Sequence, residues 1–258
     1  MNNDFRSGPV REDCNPVEAF AEKGYAVFPS FLSLGEVEDI LQNVDRYIAE
    51  VVPGLSAEEV FYEERGNMQT LKQLQSMHLH DRWFGDFFQG RVRELAGQLL
   101  GSEVIAKNMQ FFNKPPGAGR PTPPHQDGFY FKLNPPLALT MWLALDHADA
   151  VNGCVRYVKG SHLKGMRSHV LTDTLGFSQG ISDFGSKDDR VNEVALAAAP
   201  GDLLVHDAMT IHRADGNSST ERQPRALGFI FYSTTAKEDR AGRDEYRRQL
   251  SGQQEGRI

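Results

Sequence analysis

The sequence predicts an α+β protein, mainly β in its core, in which helices from the N-terminal part pack outside a β-barrel or sandwich. Helical patterning dominates before Gly101, whereas afterwards short apolar or alternating runs stand between Pro, Gly and Asn turns. Short strands punctuated in this way build sandwiches and barrels. Helices first and strands later is an α+β order. A chain of 258 residues, 40% hydrophobic and 24% charged, is long enough and ordinary enough for one large core.

Residues 1–15 are polar and read as a loose tail. A short helix over Val17–Lys23 and a strand over Tyr25–Pro29 follow. The next helix starts at Ser33, which forms an S-x-x-E capping box with Glu36. Val37, Ile40, Leu41, Val44 and Ile48 then recur on one helical stripe. A second long helix is expected over Asp81–Leu100, with Gly101 as its stop signal. Strands are expected at Val104–Asn113, Leu137–Asp146, Val155–Val158, Asp202–His206 and Arg225–Thr234. The connection over residues 163–198 is long enough to suggest a functional segment such as a lid. Lys237–Leu250 reads as a polar terminal helix. These readings make one domain: a helical layer over 16–101, a barrel core over 102–235, and a C-terminal helix and tail over 236–258.

The net charge is −7 and no long basic stretch occurs, which argues against a nucleic-acid partner. Cys14 and Cys154 can build neither a disulfide framework nor a zinc–thiolate site, and read as reduced thiols. No apolar run approaches the roughly 20 residues that span a bilayer. The first residues lack the apolar stretch of a signal peptide. A cytoplasmic protein with a small-molecule substrate and no membrane partner is therefore expected.

The chemistry begins at His125-Gln126-Asp127. On an extended chain the first and third side chains share a face, so an imidazole and a carboxylate can meet one cation. Either His206 or His212 could complete a two-histidine, one-carboxylate triad. Such a triad leaves open coordination positions and suits the Fe(II) of non-haem oxygenases. By itself, His-x-Asp is a weak signal.

The surrounding blocks are more specific. Asn113-Lys114-Pro115-Pro116-Gly117 precedes His125-Gln126-Asp127. Trp142, Asn152-Gly153-Cys154 and Gly160-Ser161-His162 follow. Gly201-Asp202, His212, Asn217 and Arg225 then lead into an aromatic strand at Tyr232. In this order the blocks resemble the phytanoyl-CoA dioxygenase family, from Gln110 to Tyr232. The resemblance implies a double-stranded β-helix (jelly roll) and Fe(II) held by His125, Asp127 and His212, because Asn217 follows His212 at the family's spacing. It also implies 2-oxoglutarate and O2 as co-substrates, with hydroxylation of an aliphatic C–H and release of succinate and CO2.

The distal carboxylate of 2-oxoglutarate wants a fork of donors, which arginine supplies. By resemblance Arg225 holds that place, although its interval from His212 is slightly longer than usual and leaves Arg222 as a rival. Gln110 and Trp142 match positions that contact 2-oxoglutarate. Lys72 is a weaker match to an upstream lysine near it. Phe129, Tyr130, Lys132, Phe177 and Gln179 are expected around the substrate, a mixture suited to a small polar, anionic or zwitterionic metabolite. A cupin-like metal-binding module, an inactive scaffold and a halogenase are the alternatives. Asp127 disfavours the last, since halogenases lack the carboxylate ligand.

Overall fold

The computed structural model describes residues 15–64, 67–117, 119–174, 177–239 and 242. The helices are α1 (Pro16–Lys23), α2 (Leu34–Glu50), α3 (Met77–His80), α4 (Arg82–Phe88), α5 (Arg91–Leu100), α6 (Gly128–Phe131) and α7 (Lys187–Asn192). The strands up to the middle of the chain are β1 (Tyr25–Phe28), β2 (Val60–Tyr62), β3 (Leu71–Leu74), β4 (Val104–Asn113), β5 (Thr122–His125), β6 (Leu133–Asn134) and β7 (Ala138–Ala144). The later ones are β8 (Val155–Val158), β9 (His169–Thr174), β10 (Phe177–Ile181), β11 (Glu193–Ala195), β12 (Leu203–Asp207), β13 (His212–Ala214), β14 (Arg225–Ser233) and β15 (Lys237–Glu238).

Two antiparallel sheets carry the architecture. The larger runs β1-β12-β7-β14-β4-β3-β2 and the smaller β11-β8-β13-β5. This is the jelly roll, with the helices outside.

Side-chain alternation gives the larger sheet two different faces. Met109, Phe111, Leu139, Met141, Leu143, Leu203, Val205, Leu227, Phe229 and Phe231 are buried on the face that meets the helices. Ile40 and Val44 of α2, Phe84 and Phe88 of α4, and Val92 and Ala96 of α5 complete that core. The alternate residues, among them Gln110, Phe112, Thr140, Trp142, His206 and Tyr232, line a cavity between the two sheets.

The capping box of α2 forms as expected: the Ser33 side chain accepts from the Glu36 N–H, and Glu36 accepts from the Ser33 N–H at 2.8 Å. The long helix expected over Asp81–Leu100 is instead two, α4 and α5. Gly90 breaks it by adopting φ −86° and ψ −140° at the cap of α5. The break turns Phe88 onto Phe231, with ring centroids 4.9 Å apart. Gly101 ends α5 in the left-handed conformation.

The segment over 16–101 is more than a helical layer, because β1 pairs with β12 and β3 with β4. Short strands without strong alternation carry little periodic signal, which is why β2 and β3 cannot be read from the sequence. Residues 163–198 are likewise structured, holding the β9–β10 hairpin, α7 and β11. Of the tail expected to be helical, Lys237–Glu238 pairs with β6, and most positions beyond Asp239 lie outside the described residues.

Gly201 sets the entry of β12. Its φ is +90°, and a Cβ there would overlap the Leu32 carbonyl. Gly201→Ala is expected to destabilise the protein by about 1–3 kcal/mol. A thermal melt should record this as a Tm several degrees lower; an unchanged Tm would show that the turn relaxes freely.

Candidate metal centre and its cavity

Histidines 125 and 212 are direct cross-strand partners on the smaller sheet, and Tyr157 sits beside His212 on the other flank. On the larger sheet Thr140 and His206 are cross-strand partners. Asp127 follows β5 and projects between these two rows. Strand register alone therefore brings together residues far apart in the chain.

The hydrogen bonds decide which atoms are available. The Nδ1 of His125 lies 2.8 Å from the Pro123 carbonyl, and that of His212 lies 3.0 Å from the Thr210 carbonyl. A carbonyl only accepts, so each Nδ1 carries the proton and each Nε2 offers its lone pair. Asp127 is divided in the same way. Its Oδ2 accepts from the Thr140 hydroxyl at 2.5 Å and from His206 Nε2 at 3.2 Å. Its Oδ1 lies 3.5 Å from His125 Nε2 and 3.7 Å from His212 Nε2.

Three acceptor atoms thus converge without a proton between them. Ligands held about 2.0–2.2 Å from one ion sit roughly 3–3.7 Å apart at angles of about 90–120°. The donor set fits a divalent metal, and two neutral imidazoles with one carboxylate on one face fit Fe(II). Among the described residues this is the one group of three or more ligand side chains close enough to share an ion.

Electrostatics agree with this division. Burial pushes the His212 pKa well below its ordinary value, and His206 and His125 push it the same way. The ring is therefore neutral, as a ligand must be. Burial opposes ionisation of Asp127, but the imidazoles around it, with the hydrogen bond from His206, outweigh it and hold the carboxyl well below the usual range.

His206 lies beside the triad, not in it. Its Nε2–H donates to Asp127, so its Nδ1 is the acceptor for the Tyr157 hydroxyl, 3.1 Å away. Sequence alone does not assign these parts to Thr140, His206 and Tyr157. The alternation of Thr140 with Trp142 is the signal that could have placed Thr140 in the cavity.

The cavity has a volume of about 620 Å³ and is lined by the triad together with Gln110, Trp142 and Tyr130. Arg225 is a correction. It begins β14 on the face of Leu227 and Phe229, turned toward the helices, and is not a lining residue. There its Nε and Nη2 bond the two oxygens of Asp146 at 2.7 and 3.0 Å. Its rival Arg222 pairs with Asp149 at 2.7 Å, also outside the cavity.

Of the residues expected around the substrate, Tyr130 lines the cavity, and its hydroxyl donates to the Gln179 carbonyl at 2.7 Å. Phe129, Lys132 and Gln179 do not line it. Lys132 lies over the Phe129 ring, 3.8 Å from its centroid, and Phe129 stacks on His169. The side chain of Phe177 lies outside the described residues.

The family model for phytanoyl-CoA dioxygenase matches residues 20–226. The chain belongs to the phytanoyl-CoA dioxygenase family. Among curated relatives, a probable alpha-ketoglutarate-dependent hypophosphite dioxygenase of Stutzerimonas stutzeri is 28% identical over 79% of this chain and 73% of its own. The phytanoyl-CoA dioxygenase of Arabidopsis thaliana is 24% identical over 80% of this chain and 83% of its own. Among solved structures, the non-haem alpha-ketoglutarate-dependent epimerase SnoN from nogalamycin biosynthesis superposes with a TM-score of 0.67 at 25% identity, covering 86% of this chain and 80% of that one. EctD from S. alaskensis, with 2-oxoglutarate and 5-hydroxyectoine, reaches 0.72 at 20% identity over 91% and 80%, a likeness of fold. This member of the phytanoyl-CoA dioxygenase family is a non-haem Fe(II)- and 2-oxoglutarate-dependent dioxygenase, with O2 as the other co-substrate. Among the described residues, no helix is long and apolar enough to cross a membrane.

Residues that orient a metal-bound group commonly change metal affinity by about 10–100-fold. His206→Phe removes one donor from Asp127 while keeping a ring in its place. Fe(II) affinity, measured by anaerobic titration, is expected to fall within that range with circular dichroism unchanged. An unaltered affinity would show that Thr140 alone orients the carboxylate.

Proposed function

We propose that the protein hydroxylates an aliphatic C–H of a small polar metabolite, with Fe(II) held by His125, Asp127 and His212. The overall change joins one oxygen atom of O2 to the substrate as a hydroxyl. The other oxygen atom enters succinate as 2-oxoglutarate loses CO2. The observation that carries this reading is the divided hydrogen bonding of the triad. Both Nδ1 atoms and Asp127 Oδ2 are engaged by the protein, while both Nε2 atoms and Oδ1 face one another.

Bound iron would supply the oxygen activation that side chains lack. The protein's part is positioning and shielding. Thr140 and His206 hold Asp127 in one rotamer, and the backbone carbonyls of Pro123 and Thr210 hold the two imidazoles in one tautomer. Gln110 and Trp142, on either side of Gly228 in the larger sheet, are suited to flank the co-substrate. Phe112, Phe131 and Tyr232 keep water away from the reacting C–H.

A cavity near 620 Å³ lies within the usual range of about 300–1,000 Å³ for small-molecule sites. It can take a dicarboxylic acid together with a second compact molecule. Asn108, Gln73 and Gln75 among the lining residues favour a polar substrate. With Asp127 in place, hydroxylation is favoured over halide transfer.

Candidate metabolites screened aerobically with Fe(II) and 2-oxoglutarate should include at least one that stimulates succinate release stoichiometrically with its own hydroxylation. Asp127→Ala and His212→Ala should abolish that turnover and lose Fe(II) in an anaerobic titration. Full turnover in chelator-treated protein, or full iron content in both variants, would sink the reading.

A further inference from the structure

The cavity walls carry five cationic side chains: Lys72, Lys107, Lys114, Arg120 and Arg213. Four of them stand beside carboxylates. Lys72 lies 3.3 Å and Arg120 3.9 Å from Glu63, Lys107 lies 2.7 Å from Glu238, and Arg213 bonds Glu193 and Asp215. Lys114 is different. Among the described residues its ammonium touches only two neutral acceptors, the carbonyls of Gly153 at 3.0 Å and Asp215 at 2.6 Å. An ammonium has three N–H donors, so one remains for a ligand.

We propose that Lys114, and not an arginine, binds the distal carboxylate of the 2-oxo acid co-substrate. The inference rests on the co-substrate reading of this site and assigns the residue that reading lacks once Arg225 is found outside the cavity. Position explains the exchange. Lys114 continues the cavity-facing series of Gln110 and Phe112 just beyond β4. Its N–H donates to the carbonyl of Pro224 at 3.3 Å, at the entry to the adjoining strand. Pro224 lines the cavity immediately before β14 and carries no charge, while Arg225, one residue on, faces the helices. The positive charge at this end of the cavity thus comes from the neighbouring strand.

The surroundings hold that charge ready. Asn217 donates to the Lys114 carbonyl at 2.8 Å and to the Arg222 carbonyl at 2.6 Å, tying this stretch to the loop before β14. Gly153 is required there, because a Cβ would overlap the Asp215 carbonyl and lie 2.9 Å from the Lys114 ammonium. Burial lowers the Lys114 pKa to about 8, with Lys72 adding to the fall and Cys154, Asp215 and Glu63 opposing it. A part-buried cation whose hydrogen bonds go to neutral carbonyls is costly, and a bound carboxylate relieves that cost.

The test compares two ligands that share the chelating 2-oxo acid end. 2-Oxoglutarate has the distal carboxylate and 2-oxobutyrate lacks it. Dissociation constants are measured by calorimetry on the full chain loaded anaerobically with Fe(II). The unaltered protein should prefer 2-oxoglutarate by about tenfold or more, the scale of one charge-assisted hydrogen bond. In Lys114→Met that preference should fall toward unity, with 2-oxobutyrate binding little changed. Lys114→Gln, which keeps a donor for the carbonyls, serves the same purpose if the methionine variant does not fold. Arg225→Met should retain the preference. A preference kept in the Lys114 variants, or lost in Arg225→Met, overturns the assignment. If the unaltered protein does not distinguish the two acids, the co-substrate reading itself fails, whatever the variants do.

Discussion

Side-chain alternation along the strands of the larger sheet is the constraint on which the molecule depends. One set of residues must be apolar, because the helices leave no water on that face. The other set is free to carry polar chemistry, because it faces a cavity. A shift of one residue in any of these strands would exchange the two sets. His206 and Thr140 would then enter the helical core, and Val205 and Leu139 would enter the cavity. The apolar core and the candidate metal centre are therefore two consequences of one register.

Between the sheets, the centre is organised by acceptors and donors that the strand register brings together. Asp127 is largely shielded from solvent, so its carboxylate must be satisfied by the protein or by a cation. Thr140 and His206 satisfy one oxygen, and the geometry leaves the other to face two imidazole nitrogens. The backbone carbonyls at Pro123 and Thr210 complete the arrangement by fixing both tautomers. Tyr157 extends the network to the smaller sheet through His206. Both sheets must be correctly packed before these atoms converge, which ties the chemistry to the integrity of the whole jelly roll.

Charge is distributed unevenly. The chain is acidic, with a net charge of −7, yet its cavity is lined by five cations and one carboxylate, Asp127. Acidic groups beside the cavity, Glu63, Glu193 and Glu238, offset most of the positive charge before any ligand arrives. They leave Lys114 as the cavity cation that, among the described residues, hydrogen-bonds to carbonyls and to no carboxylate. Such a site favours a dianion such as a dicarboxylic acid over a neutral molecule of the same size.

The sequence by itself determined a good deal. Capping residues and apolar stripes mark α2 and the end of α5, and punctuated apolar runs mark β4, β7, β8, β12 and β14 closely. These features are legible because they arise from local periodicity and local hydrogen bonding. His125 and Asp127 could be paired for the same reason, since two residues on one strand share a face. His212 was distinguished from His206 only through family resemblance. Three matters belonged to the tertiary structure. The break at Gly90 turns Phe88 onto Phe231, a contact between distant elements that no helical pattern records. The partnership of Thr140 and His206 around Asp127 depends on pairing between strands more than sixty residues apart in the chain. The facing of Arg225 depends on where the preceding loop delivers the chain into β14, and one residue of slack there reverses it. Residue type and spacing therefore announced the metal chemistry, whereas register between distant strands decided which charged side chain reaches the cavity.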